Sequence, residues 1–541
     1  MMIPTVILAD PPSDAPRSIR WSVHHWIAVA AILMASMSVG WWSRAPEVSI
    51  GGDEATYIIL SHSIDQARYN DEFLLGTPPH AKYPPGTPVW IALIRWVAGS
   101  NLDAVRAANI VLLALTGLLL GDGVRRLAGP WPGVAGVALT SLSPPLLELS
   151  GTALSEAPFV FLATASVWAA LRADEHPSGW TVVAMVTALG SFLVRTIGFT
   201  VVAGILVWLA LRKRWHWAIR SLLIGLVTMG GWFAYTAHAG SATIGQTYAG
   251  DFRIAASTGR AGLPGFIAQS LFNAEEYLVR GLPLALRLPT IPGTILDNVF
   301  WLVVVGSSAV VGMFLLARRW PAFAAYLVLS GGVLLVWPWP VERLLAPLVP
   351  GIIAAFLVGF DFVARPVGQN ARTVLLLVLG FVVCGSGVNS YIRGDRNHAC
   401  DRRDPYADPR CFFPEGRSMV TAAHRVRDSL WDRAVIATSK PATVFYFGNH
   451  LTVPLGRLLQ EERKTGVLDL RSLGADLVLL SRLLPSERTT ARRMLKRHCR
   501  ELEVYASIPP ATLLIKPKDR GPDHEDACAA LADYALEPSI P

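Results

Sequence analysis

Apolar windows approaching 20 residues recur along most of the chain, separated by short polar breaks rich in Arg, Gly and Pro. A helix of about 20 apolar residues crosses the ~30 Å hydrocarbon core of a bilayer. The windows run Trp26–Trp42, Val105–Leu120, Trp131–Leu147, Phe159–Leu171, Trp180–Val194, Ile197–Leu211 and Ala218–Tyr235. Four more follow at Val299–Leu316, Phe323–Trp337, Leu344–Phe362 and Thr373–Val388. The pattern predicts a polytopic α-helical membrane protein of about 11 transmembrane helices. Thr87–Ala98 is apolar but only about 12 residues long, and it follows Tyr83-Pro84-Pro85-Gly86. It is read as an interfacial segment rather than a crossing.

Charge sets the orientation. Basic bursts at Arg125-Arg126, Arg212-Lys213-Arg214 and Arg318-Arg319 punctuate the apolar runs. Basic residues in short loops favour the cytoplasmic side, and with Thr87–Ala98 held out of the membrane every burst falls inside. The N-terminal tail, 1–22, is then cytoplasmic and the membrane domain spans 23–392. A first outer loop covers 45–102 and a second covers 239–296. The remainder, 393–541, lies outside as a domain of ordinary size.

Composition agrees with this division. The 541 residues are 52% hydrophobic and 16% charged, against about 25% charged in soluble domains. Mean hydropathy is +0.41. The net charge of +8 is spread over the loop bursts, which argues against a nucleic-acid partner. In the C-terminal part, short apolar runs at Arg433–Thr438, Thr443–Phe447, Leu477–Leu480 and Thr512–Ile515 read as strands. Helical patterns at Ser418–Trp431 and Glu487–His498 alternate with them, so a small extracytoplasmic α/β domain is expected. It holds Cys400, Cys411, Cys499 and Cys528. Exported cysteines are commonly paired; of the three connectivities open to four cysteines, Cys400–Cys411 with Cys499–Cys528 is taken as the expectation.

Candidate chemistry gathers on the outer side. Asp53-Glu54 follows the first helix and Lys82 precedes Tyr83-Pro84-Pro85. Glu156 stands between two apolar helices, Arg195 ends another, and Arg343 lies in Glu342-Arg343-Leu344-Leu345-Ala346-Pro347. Taken singly, an acidic pair in a loop is more often a solvated surface or a helix cap, and an interfacial Arg is often an anchor. Taken together, ionisable residues at membrane depth mark function. Moving a sugar from a phosphate carrier to a hydroxyl requires a base for the acceptor proton and cations for the leaving phosphate. This set contains both. P-loop, HExxH, GxSxG and CxxC patterns are missing from the sequence.

In these residues the chain resembles the GT-C class of membrane glycosyltransferases. It looks most like the bacterial branch of the lipid A aminoarabinose transferase and the protein O-mannosyltransferase-like proteins. The resemblance covers about residues 20–390, through Asp53-Glu54 before Tyr57, Lys82-Tyr83-Pro84-Pro85, Leu154-Ser155-Glu156-Ala157-Pro158 and the Glu342-Arg343 run. It implies a polyprenyl-phosphate-linked monosaccharide donor and inverting transfer to a glycan, lipid or protein hydroxyl on the outer face of a bacterial plasma membrane. It makes Asp53 the base, Glu54 its neighbour, and Glu156 the second acidic site. Lys82, Arg195 and Arg343 would hold the donor phosphate, with Tyr57, Tyr83 and Glu342 lining the cavity. Some relatives use a divalent cation, which Asp53, Glu54 and Glu156 could hold; a metal-free site is the expectation. The chain departs from the family in having Leu344 where an aromatic often follows the Arg, and in offering no motif tied to one acceptor. A transporter or flippase of lipid-linked sugars is the rival from another class, though the inverted repeats usual there are not found. A catalytically inactive homologue is a third reading.

Overall fold

A computed structural model describes residues 20–50, 53–239, 262–277, 295–337, 342–368, 374, 411–428, 434–483, 485–518 and 526–536. The window Thr373–Val388, apart from residue 374, lies outside the described residues, as do Cys400 and the expected boundary near 393.

The membrane part is built of helices whose ends follow Gly, Pro and Asn. Helix α1 is Val23–Trp42, α2 Glu54–Asp65, α3 Gly86–Ala98 and α4 Leu102–Ala128. The Asn101 side chain caps α4 by accepting from the Asp103 amide, and Gly129 at φ 103° ends it. Pro130 then opens α5, Pro130–Ser141, the usual placing of Gly after one helix and Pro at the start of the next. The expected single helix Trp131–Leu147 is in fact two. Pro144 and Pro145 cannot donate to the α5 ladder and instead open α6, Pro144–Ser150. Helices α7 Glu156–Glu175, α8 Pro177–Val194, α9 Phe199–Leu211 and α10 Trp215–Ala239 follow. The segment after α10 contains α11, Gly262–Glu275, a helix not expected from the sequence pattern. Next come α12 Ile295–Arg319, α13 Pro321–Val336, a 3-10 stretch Glu342–Leu348 and α14 Val349–Val363.

Among the described residues, four segments are both long and apolar enough to cross a membrane: Val23–Trp42, Leu102–Ala128, Trp215–Ala239 and Arg343–Val363. Gly86–Ala98, Gly179–Val194, Thr196–Leu211 and Pro321–Val336 are apolar but shorter. Helices α12 and α14 cross backbone to backbone: a Cβ on Gly312 would fall 1.7 Å from the Ala355 carbonyl oxygen, and one on Gly359 1.8 Å from that of Ser308. Small residues at such crossings let helices pack where water provides no driving force.

The helices alternate in direction and so sort the charges. The starts of α2 and α7 and the end of α8 carry Asp53, Glu156 and Arg195 at one end of the bundle. Helix α4 runs about 40 Å to the other end, where Asp122 pairs with Arg125 and Arg126 at 2.6 and 2.7 Å, and Arg126 reaches Glu175 at 2.6 Å. Arg212 joins Asp174 there at 2.8 Å.

The C-terminal part is a five-stranded mixed sheet in the order β2-β1-β3-β5-β4. Its strands are β1 Ile436–Thr438, β2 Thr452–Pro454, β3 Leu477–Leu480, β4 Leu502–Ile508 and β5 Thr512–Pro517. Helix α15 is Pro414–Asp428, α16 Pro441–Gly448, α17 Leu455–Thr465, α18 Pro485–Arg497 and α19 Cys528–Leu536. Strands β1, β2 and β3 are parallel, and β5 joins β3 and β4 antiparallel. Thr443–Phe447, expected as a strand, lies within α16. Pro441 opens that helix and Asn449, in the left-handed region at φ 57°, closes it; helical packing over the sheet overrides the β propensity of Thr, Val and Phe. Cys499 and Cys528 form a disulfide with Cα atoms 4.8 Å apart, and Cys411 is also disulfide-bonded.

One hydrophobic core joins this sheet to the segment between α1 and α3. Val48, Ile50, Ala55, Ile59, Phe73 and Leu74 pack with Met419, Val420, Ile436, Val444 and Leu477. The same segment covers the β2 edge: the Thr452 amide donates to the Phe73 carbonyl at 2.9 Å and the Leu75 amide to the Thr452 carbonyl at 3.0 Å. An edge strand covered in this way is closed to other chains.

Candidate active site

Asp53 occupies the N-cap of α2, yet its side chain makes no capping bond. It turns instead into the bundle end. Its Oδ2 accepts from Arg343 Nη2 at 2.5 Å and its Oδ1 accepts from the Tyr83 hydroxyl at 2.9 Å. Burial opposes its charge, but the cations Arg343, Lys440 and Lys82 outweigh burial and hold the carboxyl at about 2.

Glu156 opens α7 and Arg195 follows the last residue of α8 in extended conformation. A carboxylate at a helix N-terminus and a cation at a C-terminus each suit the helix dipole. The two meet at 2.5 Å, Arg195 Nη1 donating to Glu156 Oε1. Arg343 Nε approaches the same oxygen at 3.7 Å, so Arg343 lies between both carboxylates. Glu156 Oε2 is buried with no hydrogen-bond partner among the described residues. Ser155, which the sequence reading passed over, accepts from Arg195 Nη1 and from the Tyr57 hydroxyl, both at 3.3 Å. The Tyr57 and Tyr83 rings pack 5.1 Å apart.

Gly86 holds the Lys82–Pro85 stretch against the end of α8: a Cβ there would fall 2.6 Å from the Leu193 carbonyl oxygen. Lys82 Nζ sits 5.8 Å from the centre of the Tyr83 ring. Glu342 begins the 3-10 stretch that carries Arg343, and its side chain lies outside the described residues.

The acidic pair divides. Glu54, expected beside Asp53 in the reacting centre, is fully buried and faces the loops behind it. Its Oε2 accepts from the Ser49 amide at 2.8 Å and its Oε1 from the Ala153 amide at 2.7 Å. Burial pushes its carboxyl up, against the lowering effect of Arg106 and these two amides. Glu54 therefore ties the chain before α2 to the turn before α7, which sets Asp53 and Glu156 relative to each other. Lys440 was not among the expected site residues. It lies between β1 and α16, at the carboxyl ends of the parallel strands where α/β sheets bind ligands. Burial lowers its pKa and Asp53 raises it, with Arg343 and Lys82 as further charged neighbours. Strand-then-Pro at Thr438-Ser439-Lys440-Pro441 was the available signal.

Lys82, Arg195, Arg343 and Lys440 thus surround Asp53 and Glu156 with an excess of positive charge. Among the described residues no group of three His, Cys, Asp or Glu is arranged to hold a metal ion. Glu54 directs both oxygens to amides rather than toward Asp53, so the three carboxylates do not form one ligand set.

Comparison with known proteins gives the class. Residues 82–235 match the family described as dolichyl-phosphate-mannose-protein mannosyltransferase. No curated protein matches the sequence. The structure is similar to that of ArnT from Cupriavidus metallidurans bound to undecaprenyl phosphate, with 12% identity, 93% of this chain and 100% of that chain covered, and TM-score 0.54. It is also similar to the Archaeoglobus fulgidus oligosaccharyltransferase tethered to an acceptor peptide with the NVT sequon, with 11% identity, 93% and 75% covered, and TM-score 0.55. A complex of that archaeal enzyme, AglB, with an inhibitory peptide and dolichol-phosphate matches at 11% identity, 93% and 75% covered, and TM-score 0.53. The chain has the GT-C fold of membrane glycosyltransferases.

Proposed function

We propose that this protein moves a monosaccharide from a polyprenyl-phosphate donor to a hydroxyl acceptor, with inversion, on the outer face of a bacterial plasma membrane. The observation that carries the reading is the Asp53 carboxylate held between Arg343 and Tyr83, beside the Arg195–Glu156 pair and within a cationic surround. The similar structures of ArnT with undecaprenyl phosphate and of AglB with dolichol-phosphate support a lipid phosphate as the donor's anchor.

In this mechanism the donor phosphate enters among Lys82, Arg343 and Lys440. Arg343 turns part of its guanidinium to the phosphate, and Asp53 gains basicity as that cation is shared. The acceptor oxygen attacks the anomeric carbon as the bond from that carbon to the phosphate oxygen breaks, and polyprenyl phosphate leaves. The acceptor proton passes to Asp53 late, once the forming bond has made it acidic. Fixed cations stabilise the leaving phosphate without a proton donor. Arg195 holds the Glu156 carboxylate in place beside the acceptor's path.

The test supplies membranes containing the protein with a panel of polyprenyl-phosphate hexoses and pentoses, and reads glycans, lipids and proteins by mass spectrometry. A mass increment of one sugar that vanishes in Asp53→Asn supports the proposal. Full transfer by Asp53→Asn and Arg343→Ala at normal protein levels defeats it. A donor moved across the membrane with no glycosylated product points to a transporter.

A further inference from the structure

The loop between α2 and α3 carries a buried hydrogen-bonded pair that the proposed mechanism does not use. Asp71 Oδ1 lies 2.6 Å from His80 Nδ1. Both residues are almost wholly inaccessible, Asp71 at 0% and His80 at 2%. The other ring nitrogen, His80 Nε2, accepts from the Tyr83 backbone amide at 2.8 Å. These partners fix the tautomer, because a nitrogen that accepts from an amide carries no proton, so the proton sits on Nδ1 and points at Asp71.

The pair also holds the Tyr83 ring. The His80 imidazole stacks on it, with centroids 5.4 Å apart and planes 25° from parallel. Tyr69 closes the other side: its ring meets His80 edge-on, its hydroxyl donates to the Tyr83 carbonyl at 2.8 Å, and its carbonyl accepts from the His80 amide at 2.8 Å. Tyr83 is thus gripped at amide, carbonyl and ring. What it presents is its hydroxyl, 2.9 Å from Asp53 Oδ1.

We infer that Asp71 and His80 act as a positioning pair for the transfer reaction, fixing Tyr83 and through it the Asp53 carboxylate. This rests on the reading of Asp53 as base. Groups that orient metal-bound side chains commonly contribute about 10- to 100-fold, and a carboxylate base depends on orientation in the same way.

Two substitutions divide the roles of the two ring nitrogens. His80→Asn places an amide near Nδ1, keeping a donor to Asp71 and losing the acceptor for the Tyr83 amide. His80→Gln places its carbonyl oxygen near Nε2, keeping that acceptor. With the donor panel described above, His80→Asn is expected to lower kcat by about tenfold or more with donor KM within about twofold, and His80→Gln to recover most of the loss. Combining His80→Asn with Tyr83→Phe separates positioning from folding. Because Tyr83→Phe already breaks the bond to Asp53, His80→Asn should lower kcat no further in that background. Protein level and thermal midpoint are measured for every variant.

An equal loss from His80→Asn in the wild-type and Tyr83→Phe backgrounds overturns the inference and leaves the proposed activity standing. So does His80→Gln as poor as His80→Asn. A wild-type protein that transfers no sugar from any donor overturns the proposed activity and this role with it.

Discussion

Arg343 Nη2 lies 2.5 Å from Asp53 Oδ2, although 290 positions separate the two residues in the chain. The contact joins the 3-10 stretch before α14 to the cap of α2. With Arg343 also 3.7 Å from Glu156, one guanidinium holds the two acidic residues of the centre together. Asp53→Asn keeps the size and removes the proposed base, so transfer should fall by about 10²- to 10⁴-fold with the protein still folded. Product mass per unit of membrane protein is the readout.

The low pKa of Asp53 gives a pH test. Burial raises it and the surrounding cations lower it further, to about 2. A depressed carboxyl stabilises the fold above its ordinary value near 3.8, and that contribution is lost only as pH falls through about 2. Arg343→Ala removes the strongest cation and leaves the burial, so the pKa must rise. The acid limb of the rate profile for donor-free enzyme should then move to higher pH than in wild type. Superimposable acid limbs would rule out Asp53 as the group responsible.

Glu54→Gln should act on stability rather than chemistry. Its two carboxylate oxygens accept from two amides in a fully buried position. Gln offers one oxygen and turns an NH₂ toward the other amide, a mismatch of about 1–3 kcal/mol. The thermal midpoint in detergent should drop, and the activity of the remaining folded protein should exceed that of Asp53→Asn. An unchanged midpoint with abolished transfer would return Glu54 to the reacting centre.

Lys440 tests whether the C-terminal domain completes the site. Lys440→Ala removes one cation near Asp53. A phosphate ligand lost in this way should raise donor KM by about tenfold, since hydrogen bonds to charged groups contribute about 1.5–3 kcal/mol. Lys440→Arg should retain most of the affinity. Identical donor KM in all three proteins would assign Lys440 to the domain interface alone.

The Cys499–Cys528 bond links the end of α18 to α19 across 29 positions. Removing it with Cys499→Ser and Cys528→Ser should destabilise the C-terminal domain by about 2–4 kcal/mol, the usual range for a loop of this size. Limited proteolysis should then cut faster after residue 411 than in the membrane part. Non-reducing digestion of wild-type protein should yield the linked peptide.

Local pattern alone carried a large part of this architecture. The apolar windows mark helices because a chain in lipid must satisfy its backbone internally. Leu477–Leu480 reads as a strand from its apolar run, and the structure has a strand over those same residues. Asp53, Glu156, Arg195 and Arg343 stood out because a charge beside an apolar run is costly unless it is used. Tertiary packing decided the rest. Asp53 and Glu54 are adjacent and equally acidic in sequence, yet the shared core of Val48, Ile50, Ala55 and the sheet turns one toward Arg343 and the other toward two amides. The same core seats the sheet on the segment between α1 and α3, with Lys440 near Asp53. Thr443–Phe447 became helical because its apolar face covers a sheet. Periodicity reports how much of a segment is buried; which distant segment buries it depends on shape complementarity across the whole chain, and no local window contains that.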